Sequence, residues 1–168
     1  VLRRRQWLAL SAEAEFGHVT LTGAATFIQA RFRDGYSKCA APPCANPADV
    51  VPAGRRIPGI ARQQLYAQLD WRLAWAQGAV LGLEARHTGR VPVNDANSDF
   101  AGAATVLALS LRHDITRGAW RLQPFLRIDN LTNRRYAGSV IVNEGNGRFF
   151  EPAAGRSIFV GLEVRARR

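Results

Sequence analysis

Seven segments of this chain alternate apolar and polar residues at every second position, the period of a strand with one greasy and one wet face. Gln64 to Arg72 sets Leu65, Ala67, Leu69 and Trp71 against Gln64, Gln68, Asp70 and Arg72. Ala119 to Leu131 sets Leu122, Pro124, Leu126 and Ile128 against Arg121, Gln123, Arg127 and Asp129. Ser157 to Arg167 sets Ile158, Val160, Leu162 and Val164 against Glu163, Arg165 and Arg167. The same split recurs from Leu8 to Phe16, Val19 to Phe27, Leu81 to Arg90 and Leu107 to Arg112. Six of these segments run to roughly nine to thirteen residues, whereas globular strands average about five or six and a tilted membrane strand needs about 9 to 11. The expected fold is all-β, with about seven long strands of membrane-spanning length.

The connections add an independent argument. Breaks near Gly17-His18, Ala76 to Gly78 and Thr116 to Gly118 are short. Asp34 to Gly59, Pro92 to Ala101 and Thr132 to Gly155 are long and rich in Gly, Pro and Asn. Short and long alternate strictly, so an antiparallel up-and-down meander would gather tight turns at one rim and long loops at the other, as outer-membrane barrels do. A polar face holding Asp70, Glu84, Arg86, Arg112, Arg121 and Arg127 suits a wet lumen, and Trp7, Trp71, Trp75 and Trp120 near strand ends suit an interfacial girdle. Periodicity alone does not separate inside from outside. A soluble ligand-binding β-barrel and a passive porin-like barrel remain open at this point.

Composition narrows the function. The 168 residues carry 23 basic and 13 acidic side chains, a formal net charge of +10, and Lys38 is the only lysine. The arginines are scattered at alternate positions along apolar stretches instead of clustering, which argues against a nucleic-acid partner. No run approaches the roughly 18 to 20 apolar residues of a membrane-spanning helix. No nucleophile elbow, P-loop, dinucleotide fingerprint or zinc motif is present, so neither an enzyme nor a cofactor is expected. His18, His87 and His113 stand alone, without the partners of a metal site. Cys39 and Cys44 share a Pro/Ala/Asn-rich segment; a loop disulfide in an oxidising compartment is expected, with a reduced pair as the alternative.

The C-terminal third carries a further pattern: Phe125-Leu-Arg-Ile-Asp-Asn130-Leu-Thr-Asn-Arg-Arg-Tyr136, then Gly145-Asn-Gly-Arg-Phe-Phe150-Glu-Pro, then Gly155-Arg156 opening the last strand. It resembles the end of TonB-dependent outer-membrane receptors, with Asn130, Leu131, Tyr136, Pro152, Gly155 and Arg156 as the motif positions. Upstream, Ala30-Arg31-Phe32 and Ala53-Gly54-Arg-Arg-Ile57-Pro58-Gly59 resemble the same family's preceding loop and the approach to its next strand. Ser139 to Asn143 and Phe149-Phe150-Glu-Pro are most similar to receptors for ferric siderophores.

The resemblance implies that residues 1–168 are part of one receptor β-barrel, the last seven of 22 strands, with the plug domain and earlier strands lying outside them. It implies a place in the outer membrane of a Gram-negative bacterium, contact with its lipid, and uptake of a chelated nutrient such as a ferric siderophore. TonB would act only through N-terminal regions outside these residues. Arg148, Arg156 and Tyr136 are the expected ligand contacts, because arginines flanking the last long loop suit the carboxylates or catecholates of an anionic chelate. The competing readings are structural. Arg148 and Arg156 could instead pair with Glu144 or Glu151, and Asn130, Asn133 and Tyr136 could pin the backbone at a strand end.

Overall fold

The computed structural model describes residues 3–38 and 49–166. Seven long antiparallel strands form one curled sheet: β1 (Arg3–Phe16), β2 (Val19–Phe32), β5 (Gln63–Arg72), β6 (Ala79–Thr88), β9 (Ala104–His113), β11 (Trp120–Asp129) and β14 (Ser157–Ala166). The intervening numbers belong to short strands: β3 (Tyr36–Lys38) with β4 (Asp49–Val51), β7 (Val91–Pro92) with β8 (Phe100–Ala101), and β12 (Ala137–Val140) with β13 (Phe150–Pro152). A last piece, β10 (Ile115–Arg117), extends β9 past Asp114 and pairs with β11. The long strands pair in chain order, the expected up-and-down meander. β1 and β14 are its edges among the described residues.

Register turns the period of two into two chemically distinct faces. Directly paired residues point to the same side, so Ala14, Leu21, Leu69, Leu83, Leu109, Ile128 and Ile158 form one unbroken apolar row across all seven strands. One residue along, Glu15, Thr20, Asp70, Gly82, Ser110, Arg127 and Phe159 form the row on the other side. A slip of one residue would put side chains such as Glu15, Asp70 and Arg127 into the apolar row, which is what fixes the register.

The apolar face is left open: Val160 is 80% and Leu162 59% accessible on the edge strand, and Leu21, Leu83 and Leu111 are each about 40%. That is the reverse of a soluble barrel, whose leucines converge on a dry core. From Leu8 to Phe16 this face runs eight steps of about 3.4 Å, about 27 Å along β1 and about 20 Å along the axis of a barrel tilted by roughly 40°. Such a height matches a lipid-facing band. Phe16, Trp71 and Trp120 lie at its lower edge, and Trp75, 81% exposed, projects from the turn below.

The opposite face holds paired charges. Arg127 reaches Glu84 at 3.4 Å and Asp129 at 2.8 Å, Arg86 reaches Glu84 at 2.6 Å, and Arg112 lies 3.8 Å from Asp70. Glycines make room on this side. A Cβ at Gly82 would sit 2.5 Å from the Ser110 hydroxyl and 2.9 Å from Asp70 Oδ1, and one at Gly161 would strike the Phe125 ring laid over it.

The tight turns gather at one rim, as the spacing predicts. Gly17 (φ +58°) and Gly118 (φ +55°) each open a two-residue hairpin loop, the first central position of a type II′ turn, where glycine adopts positive φ without a Cβ penalty. Gly78 (φ +84°) is more constrained, since a Cβ there would lie 2.4 Å from the carbonyl oxygen of Asp114.

Candidate functional site

The three long connections gather at the opposite rim, and each folds its own short hairpin: β3–β4, β7–β8 and β12–β13. From sequence alone these segments read as loops. Two- to four-residue strands bounded by Gly, Pro and Asn are too brief to produce a readable period. Beneath them lies the small dry core of Ala30, Phe32, Val51 and Ile57, with Tyr36 edge-on to Phe32 at 5.2 Å between ring centroids. Burial and the neighbouring Asp95 carboxylate push the Tyr36 phenol up to about 12, because both disfavour its anion.

Asparagines stitch the three connections to one another. Asn143 donates from Nδ2 to the Asp95 carboxylate at 2.8 Å, accepts the Asp95 amide at 2.9 Å, and its own amide donates to the Val93 carbonyl at 2.9 Å. Asn97 accepts the Arg56 amide at 2.7 Å and donates to the Arg56 carbonyl at 2.9 Å. Every non-glycine residue at positive φ among the described residues is an asparagine: Asn97, Asn130, Asn133 and Asn143. Asparagine enters the left-handed region most readily of the ordinary residues, and the side chain freed there bridges two backbones. The sequence reading missed Asn97, Asn143 and Asp95, since partners 48 residues apart are invisible to local pattern.

The motif residues are mostly structural. Asn130, 3% exposed, donates to the carbonyls of Arg134 and Ala154 and accepts the Arg134 amide. Asn133 accepts the Arg156 amide at 3.0 Å, closing the end of the loop onto the start of β14, and a side chain at Gly155 would crowd that oxygen at 3.2 Å. Leu131 donates its amide to Leu107, and Pro152 pairs with Ala137 within the β12–β13 hairpin.

Of the three expected contacts, Tyr136 is the best placed. It lines both a recess of about 630 Å³ on the charged inner wall, shared with Glu84, Arg86 and Arg127, and one of about 490 Å³ under the loops, shared with Gln64, Thr88 and Ser139. Arg156 and Arg148 are exposed and occupy opposite ends of the last hairpin, with Arg156 beside its base and Arg148 near its tip. Glu144 accepts the backbone amides of Asn146 and Arg148, each at 2.8 Å, and Glu151 meets the Ser139 hydroxyl. Neither guanidinium forms an ion pair among the described residues, so the carboxylates expected to neutralise them are engaged elsewhere. Beside Arg148, Phe149 and Phe150 pack edge to face at 6.2 Å. Cys39 and Cys44 lie outside the described residues, and no group of metal-binding side chains occurs among those described.

An exposed apolar band, a charged inner wall and loops gathered at one rim define the class: a segment of β-barrel wall with its long connections at one end. Solved structures agree. The siderophore receptor PiuA from Acinetobacter baumannii matches 97% of this chain with a TM-score of 0.76 at 14% identity, and BauA, the ferric preacinetobactin receptor of the same organism, matches 96% with 0.72 at 17%. The ferric yersiniabactin uptake receptor FyuA from Yersinia pestis matches 98% with 0.54 at 16%. The chain covers 22%, 22% and 30% of those receptors, so it spans less than a third of their length. No family model matches. At these identities the likeness establishes the fold alone, a portion of β-barrel wall like that of these receptors.

Proposed function

We propose that this chain forms part of the wall and outer mouth of an outer-membrane receptor that imports a chelated nutrient, a ferric siderophore, in a TonB-dependent manner. The carrying observation is that all three long connections meet at one rim above an apolar band that runs across seven strands, in a fold shared with siderophore receptors over nearly the whole chain. Long loops capture the chelate, Tyr136 meets it where the mouth opens onto the inner wall, and the guanidiniums of Arg148 and Arg156 offer charge-assisted donors to an anionic chelate. Residues 1–168 supply one module of a larger barrel, and energy coupling resides in regions outside them.

The test is uptake of radiolabelled iron as a ferric siderophore by iron-starved cells with the gene intact, deleted, or restored without the segment from Thr132 to Gly155. Uptake lost on deletion, and not restored by the shortened version although the barrel inserts, supports the reading. Equal uptake in all three strains, across catecholate, hydroxamate and mixed-ligand chelates, overturns it.

A further inference from the structure

Above the apolar band, on the lipid-facing side, three arginines stand shoulder to shoulder. Arg4 pairs with Arg31 across β1 and β2, and Arg31 bridges Arg56 in the extended segment beside β2. The hydrogen bonds from Phe32 to Arg55 and from Ile57 to Ala30 frame that bridge, so all three side chains share one face. It is the outer face. In β1 it continues from Arg4 through Gln6 to Leu8 and Leu10, and in β2 from Arg31 through Gln29 to Phe27. At about 4.8 Å between strands the three positions span about 10 Å, and at about 3.4 Å per residue they lie about 13 Å above the first apolar row.

Like charges placed directly opposite one another on a sheet oppose folding. On the inner wall Arg86, Arg112 and Arg127 have carboxylate partners, whereas Arg4, Arg31 and Arg56, like Arg3 and Arg5 on the inner side of β1, have none among the described residues. Burial and the nearby charges of Arg31, Arg62 and Arg90 hold the Arg56 guanidinium below its ordinary range. Two of the three are nevertheless held in position: Arg31 donates to the Gly54 carbonyl at 2.6 Å, and Arg56 donates to those of Ile60 and Arg90, each at 3.2 Å. Beside them is a recess of about 260 Å³ lined by Arg4, Gln6, Gln29 and Arg31, all hydrogen-bond donors.

We infer that the Arg4–Arg31–Arg56 row binds the phosphate groups of an anionic lipid headgroup in the leaflet surrounding the long-loop rim. A planar guanidinium donates two parallel hydrogen bonds to phosphate, and a multiply charged headgroup relieves the repulsion within the row. The glutamine pair below offers further donors between phosphate and acyl chains. Position separates this ligand from a chelate, because the row faces lipid and the mouth faces the lumen. The inference rests on the membrane reading above.

The test uses the complete polypeptide that carries these residues, purified in detergent micelles doped with bis-phosphorylated lipid A or with the same lipid after removal of its phosphates. Native mass spectrometry reads retained lipid. Selective retention of the phosphorylated lipid, weakened about tenfold or more in the double variant Arg31→Gln, Arg56→Gln, is the expected result. Restored selectivity in Arg31→Lys, Arg56→Lys would support a requirement for charge. Equal retention of both lipids by the parent overturns the inference without needing any variant to fold. Displacement of the lipid by inorganic phosphate at concentrations comparable to the lipid's own would assign the row to free phosphate and also overturn it. Chelate uptake reports separately: a barrel that imports siderophore but retains both lipids equally refutes the lipid site alone, while a chain that never inserts refutes both.

Discussion

The sheet and the loop rim are built on opposite logics. In the sheet, specificity comes from repetition: each strand repeats the same split, and a one-residue shift at any pairing exposes a charge on the apolar side. At the rim nothing repeats, and single side chains carry the order, as when Asn143 joins the third connection to the second and Asn97 joins the second to the first. The sheet should therefore respond to where on a face a change falls, and the rim to which residue is changed.

The largest effect should come from charging the apolar band. Leu83→Arg, in the central row, is expected to lower stability in lipid by about 2 to 4 kcal/mol, the cost of an arginine near the bilayer midplane. Ser110→Arg, on the inner face, should cost far less. Chemical unfolding from vesicles measures both, and equal costs would remove the distinction between the two faces.

Ligand binding tests the rim next. Arg148→Ala should weaken an anionic ferric chelate by about 1.5 to 3 kcal/mol, the range for hydrogen bonds to charged groups, and a neutral chelate of similar size much less. Fluorescence titration with both chelates reads the difference. Unchanged affinity for both would make Arg148 a bystander at the hairpin tip.

Two glycines at the short-turn rim sharpen the contrast between place and residue. Gly78→Ala meets positive φ and the Asp114 carbonyl together, and should cost about 2 to 3 kcal/mol. Gly118→Ala meets positive φ alone, with open space around it, and should cost about 1 kcal/mol. Similar losses on unfolding would mean that the close approach is relieved by movement of Asp114.

The smallest effects should stay local. Asn143→Ala removes both side-chain contacts to Asp95 and should speed amide exchange around Asp95 by about fivefold to thirtyfold, corresponding to about 1 to 2 kcal/mol, with the long strands unchanged. High pH should loosen the same region. The Tyr36 phenol is raised to about 12 in the fold, so as pH climbs from about 10 the unfolded loop ionises first, and the stability present below 10 is lost through 12. Tyrosine ultraviolet absorbance should report the late ionisation, and a midpoint near 10 would contradict the half-buried placement of Tyr36 beside Asp95.

The two regions also differed in how far the sequence exposed them. The long strands, their faces and the order of short and long connections could be read from residues such as Leu65, Leu69 and Trp71 against Gln68 and Asp70, because the period of two is a local property. The short hairpins could not, since β7 and β8 are two residues each and are defined by each other. The Arg4–Arg31–Arg56 row was likewise hidden: each arginine looks solvated alone, and only register brings the three together. Among the candidate contacts, Tyr136 was found through a family resemblance and lines three recesses. The same motif's Asn130 and Asn133 hold backbone, as their polar turn chemistry suggested.

The central claim is that the leucine-bearing face touches lipid. Single cysteines placed in turn from Thr105 to Arg112 along β9, in the complete polypeptide with Cys39 and Cys44 changed to serine, can carry nitroxide labels in reconstituted membranes. Accessibility to oxygen should peak at Leu107, Leu109 and Leu111, and accessibility to a polar nickel chelate should peak at Val106, Ala108 and Ser110, alternating at every residue. Oxygen access that is uniform along β9, or highest at Ser110, would contradict the account.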